Sequence, residues 1–345
     1  MYKPNFRYTN KIVRSLISIS AAREIILSSP LIPKWEISLR REAIIHSAHS
    51  STSIEGNRLS LEQVSELANG REIMAVRKDK QEVLNYLNVL NNIDKLTKGN
   101  SICENDILNI HRLVTKDTLD NPDDCGVYRN HYVVVGNRFT GKIFFKPPQN
   151  KDVPVLINNL FQWINSEEPK KLEPVIEAGI VHYEFVRIHP FIDGNGRTSR
   201  VLATLILYQR GFDAKQFFCL DDYYDSDGQA YYRALQSVDQ NILDITNWLE
   251  YFVEGVSVSI QAVKERVIRL SSEKLRKAKR GQIALTERQM KIVEHINLNG
   301  KITNRDVREM FKLSNRGALD EINKLIELKV LKSKGKGRGL HYVLF

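Results

Sequence analysis

Cysteine is scarce in this chain, and its scarcity argues against two classes of protein. The three cysteines, Cys103, Cys125 and Cys219, are odd in number and far apart. They show neither the paired framework of a disulfide-rich secreted domain nor the spacing of a metal knuckle. The cytoplasm, a reducing compartment, is therefore the expected location.

Long hydrophobic runs are missing as well. No uninterrupted apolar stretch approaches the roughly 20 residues that span a membrane, and residues 1–6 do not read as a signal peptide. Hydrophobic residues still make up 42% of the 345 positions, which is enough for a sizeable core and two domains. We expect a soluble globular protein with no membrane partner.

The charge excess is confined to one end of the chain. The sequence carries 51 Lys and Arg against 41 Asp and Glu, a net charge of +10. Residues 276–345 contain 17 basic and 7 acidic side chains, so this last fifth holds the whole excess. The pattern predicts a basic C-terminal module on an electrically neutral body.

One short segment concentrates the residues that could do chemistry: His189-Pro190-Phe191-Ile192-Asp193-Gly194-Asn195-Gly196-Arg197-Thr198-Ser199-Arg200. The residues before it, from Pro174 to Arg187, place apolar side chains at helical spacing, and Pro174 suits the first turn of a helix. A second apolar helical pattern follows it up to Gly211, a natural stop. The segment is therefore predicted as a turn between two buried helices.

Each residue type in this turn suits a phosphate site. Glycines permit backbone angles whose N–H groups form an anion nest at a helix N-terminus. Arg197 and Arg200, three apart, can both lean over the turn, and Asp193 is a hard oxygen ligand suited to Mg²⁺. His189 can accept a hydroxyl proton near neutral pH. A merely solvated turn is about as common, so spacing alone leaves both interpretations open.

The whole string His-Pro-Phe-x-Asp-Gly-Asn-Gly-Arg-x-x-Arg resembles the signature of the Fic family, enzymes that move AMP from ATP to protein hydroxyls. The resemblance implies a mostly α fold, a Fic-fold helical bundle with a β-hairpin flap. It also implies a role for each residue: His189 as the base, Asp193 as the Mg²⁺ ligand, Gly194, Asn195 and Gly196 as the anion hole, Arg197 as a phosphate contact and Arg200 as the γ-phosphate clamp. The kinase-like branch carries Lys at the position of Gly196 and lacks the second arginine, so AMP transfer is favoured over phosphate transfer.

A second segment lies far upstream, where Ser51 and Glu55 are four apart at the end of a predicted helix that stops at Gly56. By itself this pattern is most often a solvated helix end. Beside the catalytic string, Ser-x-x-x-Glu-Gly resembles the inhibitory motif of Fic proteins, residues 51–56 here. The resemblance implies that Glu55 pairs with Arg200 and occupies the γ-phosphate clamp.

A hairpin is the clearest β signal ahead of the catalytic string. Residues 131–135 and 142–145 are β-rich runs around a turn at 136–141, and two prolines end the second run. The simpler interpretation is a small hairpin without a functional role. Its position resembles the family's flap, here 131–146, whose edge can pair with the backbone of a target protein.

Two pairs of side chains have both a structural and a functional interpretation. Tyr231 and Tyr232 resemble the family segment that lines the adenine pocket, although aromatic pairs are more often core and the family's downstream Asn is Asp239 here. His46 and His49 lie three apart on a predicted helix. Without a third ligand nearby, a surface or packing role is favoured over a metal site.

The basic tail predicts a second fold. Residues 271–284 are polar, basic and poorly patterned, and we interpret them as a linker. Residues 285–345 give three short helices and a strand–turn–strand unit, which resembles a winged helix-turn-helix. The glycine turn carries Lys334, Lys336 and Arg338, a basic wing suited to DNA phosphates.

Acidic side chains on the third of these helices oppose DNA binding: Asp320, Glu321 and Glu327. DNA contact and protein docking therefore stay equally open for this module. The remaining expected segments are an N-terminal helical region at 1–120, which holds the inhibitory motif, and a catalytic core at 121–270.

The predicted function is adenylylation of a Ser, Thr or Tyr hydroxyl, with self-modification, using ATP and Mg²⁺ and restrained by Glu55. One alternative is AMP removal, or another nucleotidyl or phosphoryl transfer of the same family. Another is a DNA-binding regulator whose Fic body is only a sensor. The sequence leaves the target protein and the oligomeric state open, a homodimer included.

Overall fold

The computed structural model describes residues 2–97, 101–136, 143–212, 214–278, 285–335 and 337–345. Contacts divide the chain into two compact units. The first contains the residues up to Leu27 together with Glu42–Lys264, and the second contains Ser28–Arg41 together with Glu265–Phe345. The domain limits expected from the sequence stay predictions. Within the described ranges, no helix is both long and apolar enough to cross a membrane.

Helices dominate the chain up to residue 278, as the sequence predicted. Their bounds are α1 Asn10–Ser28, α2 Pro33–Ser53, α3 Leu61–Ala68, α4 Arg77–Asn91, α5 Glu104–Thr115, α6 Val153–Ile164, α7 Glu167–Lys170, α8 Pro174–Ile188, α9 Asn195–Gln209, α10 Asp221–Ser226, α11 Gly228–Gln236 and α12 Thr246–Ala278.

The centre of the first unit is α8, which is buried along almost its whole length. Pro174 opens it, as expected for a residue without an N–H to satisfy. The indole N–H of Trp248 on α12 donates to the carbonyl of Gly179 at 2.8 Å. A Cβ at Gly179 would overlap Phe252, so this glycine is what lets α12 pack closely against α8. The motif that follows α8 therefore starts from a rigid support.

The hairpin is shorter than the sequence predicted. Strand β1 is Val135–Gly136 and pairs antiparallel with β2, Ile143–Phe145. Residues 131–134, expected as strand, are not, and one backbone acceptor of this segment, the carbonyl of His131, is bound by the side chain of Arg129. The predicted turn at 137–141 and the first residue of the second run, Lys142, lie outside the described residues.

The second unit contains three helices followed by a hairpin, the order of elements that the sequence predicted. They are α13 Glu287–Asn299, α14 Asn304–Phe311, α15 Asn315–Glu327, β3 Leu331–Lys334 and β4 His341–Leu344. Side chains of Thr286, Thr303 and Ser314 cap the three helix starts. Strands β3 and β4 are antiparallel, and Tyr342 packs into a core with Ile302 and Leu325.

The linker expected at 271–284 stays a prediction, and its first half is helical. Helix α12 continues through Ser271–Ala278 without a break. These eight residues contain neither Gly nor Pro and are mostly good helix formers. Their polar character therefore did not indicate the end of the helix. Residues 279–284 lie outside the described part of the chain.

Candidate active site

The predicted catalytic turn joins α8 to α9. His189 ends α8 in a left-handed conformation with φ 51°, while its N–H still donates to Phe185 at 3.0 Å. Gly194 precedes α9 with φ 77°, a conformation that costs glycine little. A Cβ at Gly194 would also overlap Thr115 of α5. The turn is therefore fitted tightly against α5.

Asn195 closes this turn with its side chain. Its Oδ1 accepts a hydrogen bond from the N–H of Phe191, and its Nδ2 donates to the carbonyl of Phe191, both at 2.9 Å. The side chain is thus engaged within the turn. The main-chain N–H groups of the first residues of α9, including Gly196, have no partner within the helix and are the groups suited to an anion.

The ring of His189 is held in an orientation that suits a base. Its Nδ1 lies 3.3 Å from the carbonyl of Val186, which can only accept, so Nδ1 carries the proton and Nε2 has the lone pair. Burial lowers the pKa of His189 to about 4, although the Val186 hydrogen bond and the Glu55 carboxylate act in the opposite direction. The imidazole is therefore neutral at pH 7 and able to accept a proton.

Arg200 on α9 is bound by the end of α2, as the inhibitory-motif resemblance implied. Its Nε donates to Ser51 Oγ at 2.6 Å, and its Nη2 donates to the Ser51 carbonyl and to Glu55 Oε1, each at 2.8 Å. The Arg200 side chain is only 2% exposed. Such charge-assisted bonds to a buried guanidinium are strong, so the structure holds Glu55 firmly on Arg200.

A second carboxylate lies beside Arg200. Asp221, at the start of α10, has its Oδ1 3.5 Å from Arg200 Nε. Burial raises the pKa of Asp221 to about 6, with Arg200 acting against that rise. Nothing in the local sequence of Asp221 indicated this contact.

Glu55 also covers the start of α9. A Cβ built on Gly196 would overlap Glu55 Oε1 and lie 3.0 Å from Arg200 Nη1. The backbone of Gly196 and the carboxylate of Glu55 are therefore in direct contact. The anion site expected at the N-terminus of α9 already has a negative group against it.

Arg197 is buried and already paired. Its side chain is 2% exposed, with Nη1 3.3 Å from Glu82 Oε1 and Nη2 3.5 Å from Asp193 Oδ1. Glu82 is in turn held by Asn57, whose Nδ2 donates to Oε2 at 3.0 Å. The guanidinium expected to contact phosphate is thus paired with Asp193, which the sequence assigned to the site, and with Glu82, which it did not.

Asp193 fits a single-carboxylate magnesium site. Its side chain is 41% exposed, and its Oδ1 accepts the N–H of Gly194 at 2.6 Å. No cluster of three or more His, Cys, Asp or Glu side chains able to hold a metal occurs in the described residues. Mg²⁺ is commonly bound through one or two carboxylates together with substrate phosphates, so one aspartate beside an anion site is a suitable donor set.

One cleft of about 780 Å³, the open space at its mouth included, joins most of the predicted site. His189, Glu55, Gly196, Arg200 and both tyrosines, Tyr231 and Tyr232, line it. Three flap residues also line it: Val135, Phe144 and Phe145. The sequence-predicted base, clamp, inhibitory carboxylate and flap therefore meet at one place.

The two tyrosines differ in their surroundings. Tyr231 is buried, and its hydroxyl lies 2.9 Å from Nε2 of the buried His182. Tyr232 is 41% exposed, and burial and Glu55 raise the pKa of its hydroxyl to about 12. Tyr232 thus offers a partly open aromatic face to the cleft, while Tyr231 forms its floor.

Several residues of this site were missed in the sequence. His111 stacks on Phe191 at 3.6 Å between ring centres, accepts the N–H of Gly126 at Nδ1, and donates from Nε2 to the carbonyl of Asp193 at 2.9 Å. Arg129 donates to the carbonyl of His189 at 2.8 Å. In the sequence, Arg129 belongs to the run Gly126-Val127-Tyr128-Arg129, to which no role was assigned. His46, a weak metal candidate, instead contacts Asp222 at 2.8 Å.

The fold and this site define a class of protein. Residues 101–207 match the model of the Fic/DOC family. The match ends beyond Arg200, so it includes the whole catalytic turn, while α2 with Glu55 lies before it.

Relatives and solved structures extend the comparison. The chain is 29% identical over 250 residues to the protein adenylyltransferase Fic of Drosophila virilis, covering 68% of this chain and 49% of that protein. It thus spans about half the length of this curated relative. A Fic family protein of Desulfovibrio desulfuricans shares the fold over 100% of this chain and 98% of its own, with TM-score 0.66 and 24% identity. A Fic-1 fragment of C. elegans matches with TM-score 0.59 and 27% identity, over 76% of this chain and 73% of its own.

Proposed function

We propose that this protein transfers AMP from ATP to a hydroxyl group of a protein, and that Glu55 restrains the reaction. The observation that carries the proposal is the shared cleft, in which a neutral His189 faces the same space as the start of α9, Arg200 and the flap. Curated relatives named protein adenylyltransferase support it, although the chain covers 49% or less of the length of those cited.

The proposed chemical step involves the target hydroxyl, the α-phosphorus of ATP and His189. The oxygen of a Ser, Thr or Tyr hydroxyl attacks the α-phosphorus of ATP, and its proton passes to Nε2 of His189. The bond between the α-phosphorus and the bridging oxygen breaks, so pyrophosphate leaves with that electron pair. The product carries AMP as a phosphodiester.

ATP would be held largely by groups that already face the cleft or its turn. The N–H groups at Asn195 and Gly196 suit phosphate oxygens, and that of Gly194 would join them by leaving Asp193 Oδ1. Arg197 and Arg200 supply positive charge. Tyr231 and Tyr232 offer apolar surface to the base. Asp193 would hold Mg²⁺, which neutralises charge on the phosphates when bound.

Autoinhibition follows from the Arg200 contacts. Glu55 uses the Nη2 donor that a γ-phosphate would need, and it brings negative charge to an anion site. A triphosphate that binds beside it would be displaced, and small displacements of reacting atoms remove much of the rate. Removal of Glu55 should therefore activate the enzyme.

A second candidate is removal of AMP from a modified protein. Glu55 and His189 line the same cleft, so the carboxylate could orient a water molecule toward a phosphodiester bound there. Under this candidate Glu55 is required for activity instead of opposing it, so the same variant separates the two.

The flap and the second unit supply the proposed partners. Ile143 and Phe144 of the flap are 47% and 44% exposed, an apolar edge suited to the extended backbone of a target protein. In the second unit, Lys332 and Lys334 are exposed on the hairpin, which supports DNA phosphate contact, with protein docking as the alternative. The cytoplasm, suggested by three free cysteines, and a homodimer remain proposals.

The test is incubation of the Glu55→Gly chain with labelled ATP and Mg²⁺, followed by mass spectrometry. We expect AMP on hydroxyl side chains of the protein itself. Glu55→Gly with His189→Ala is the matched control, because it keeps the ATP-binding groups and removes only the base. Equal labelling of the two chains would refute the role of His189.

A further inference from the structure

Arg129 is a buried cation outside the catalytic string whose partners belong to three different segments. It is 3% exposed. Its Nε donates to the carbonyl of His189 at 2.8 Å, its Nη2 to that of Pro148 at 2.6 Å and its Nη1 to that of His131 at 3.2 Å. The main-chain N–H of Arg129 adds a bond to the carbonyl of Pro190 at 2.9 Å.

Two of these partners lie at the ends of the flap. His131 comes shortly before β1, and Pro148 shortly after β2, so Arg129 binds both ends of the hairpin segment. The third partner is the main chain of His189. One guanidinium therefore ties the two roots of the flap to the residue that faces the cleft as its base.

The chemistry explains why an arginine lies here. In the described residues, the hydrogen bonds of its side chain all go to main-chain carbonyls, including those at the C-terminal end of α8. That helix end carries partial negative charge, which stabilises a cation. A planar guanidinium can serve several carbonyls in fixed directions, whereas a lysine ammonium is a flexible point donor.

We propose that Arg129 is a positioning residue for AMP transfer: it holds both roots of the flap on the catalytic turn, and so fixes where a flap-bound hydroxyl lies relative to His189. This rests on the proposed function. The hairpin itself is small, with two- and three-residue strands, so its own pairing gives little rigidity. The contacts at its roots therefore help to fix its placement, and Arg129 joins the two roots.

The test uses the full chain in the Glu55→Gly background. Arg129→Lys keeps the charge but loses the planar fork. Arg71→Lys is the matched control, because Arg71 is exposed and, within the described part of the chain, its side chain pairs with Glu66 alone. We expect Arg129→Lys to lower the rate of self-labelling at saturating ATP about tenfold or more while the Kd for ATP stays within about twofold. Arg71→Lys should change neither.

A second measurement does not depend on activity. Hydrogen exchange should become faster at the amides of 131–136 and 143–146 in Arg129→Lys, and should stay slow in α8 and in Arg71→Lys. Unchanged exchange at the flap roots would overturn the proposal. So would a loss of ATP binding as large as the loss of rate, because that is the pattern of a merely structural role.

A pH profile separates the charge of Arg129 from its geometry. The groups that face His189 are Glu55, Asp193 and Arg129, of which Glu55 is absent in this background. Arg129 lowers the pKa of His189, so Arg129→Gln should move the acid limb of the rate profile to higher pH, while Arg129→Lys should leave it in place. If both variants shift the limb equally, or neither loses rate, the positioning role is wrong.

If Glu55→Gly itself takes no AMP from ATP, the proposed function fails, and the exchange measurement still decides the role of Arg129.

Discussion

The carboxylate of Glu55 lies against the backbone of Gly196, so close that a Cβ on that glycine would overlap Glu55 Oε1. Residues 141 positions apart in the sequence thus share one small space at the N-terminus of α9. That space is where the proposed function puts the phosphates of ATP. Occupation of one site by either a carboxylate or a phosphate is the basis of the proposed inhibition.

Filling this space with a methyl group should weaken nucleotide binding without activating the enzyme. In the Glu55→Gly background, Gly196→Ala is expected to raise the Kd for ATP about tenfold, or about 1.4 kcal/mol, because the Cβ takes the place of a phosphate oxygen. Calorimetric titration with ATP measures this. Alanine suits a helix better than glycine, so an unchanged or higher thermal midpoint is the control for folding. An unchanged Kd would show that phosphate does not bind there.

The pH dependence of transfer should lack the usual histidine limb. Burial lowers the pKa of His189 from 6.5 to about 4, and a base is active only when it is unprotonated. The rate of Glu55→Gly should therefore stay nearly constant as the pH falls from about 7.5 to about 5.5, where an ordinary histidine would lose most of its activity. Glu55 raises the pKa of His189, so its removal moves the limb further down. A midpoint near pH 6.5 would contradict a neutral base whose pKa is lowered by removal from solvent.

Asp221 should make the protein less stable at neutral pH than at mildly acidic pH. Folding raises the pKa of this carboxyl from 3.8 to about 6, so its charged form is disfavoured in the folded state. The resulting penalty is complete above about pH 6, shrinks as the pH falls through that value, and disappears below 3.8.

The corresponding variant is Asp221→Asn. It should raise the thermal midpoint at pH 7.5 by an amount equivalent to about 1–3 kcal/mol and leave it nearly unchanged near pH 4. Thermal unfolding followed at both pH values measures the difference. A loss of stability at pH 7.5 would mean that the pairing with Arg200 outweighs the burial of the charge.

The catalytic turn could be predicted from sequence because its residues are contiguous. One string places His189, Gly194 and Arg200 between two helical patterns, and the structure brings the same groups together. The inhibitory contact also followed, but only because the resemblance linked Glu55 to Arg200. Spacing alone could not have joined residues so far apart.

Other parts of the site depend on tertiary contacts that no local pattern reveals. Glu82, His111 and Arg129 come from separate segments and act through a carboxylate, a ring stack and main-chain carbonyls. The first flap strand was predicted too long because a β-rich composition does not show that the side chain of Arg129 binds the carbonyl of His131. The end of α12 was missed because a polar helix has no apolar stripe to follow.

Binding of DNA by the second unit should depend mainly on contacts to phosphates. Replacement of Lys334, Lys336 and Arg338 by Ala in the full chain should weaken binding to a short duplex and reduce the salt slope by about 3, because three phosphate contacts are lost. Fluorescence anisotropy across a salt series measures both quantities. The matched control is Lys170→Ala with Lys171→Ala, two exposed lysines of the first unit. A salt-independent affinity, or an equal loss in the control, would favour protein docking instead.

We propose that Glu55 blocks AMP transfer by holding Arg200, and a comparison of three chains distinguishes this role from others. AMP incorporation is measured for the unmodified chain, Glu55→Gly, and Glu55→Gly with Arg200→Ala, at equal ATP and Mg²⁺. We predict incorporation at least about tenfold higher in Glu55→Gly than in the unmodified chain, and a return to the low level when Arg200 is also replaced. Equal or lower incorporation by a folded, ATP-binding Glu55→Gly chain would show that Glu55 does not block AMP transfer, and it would favour AMP removal.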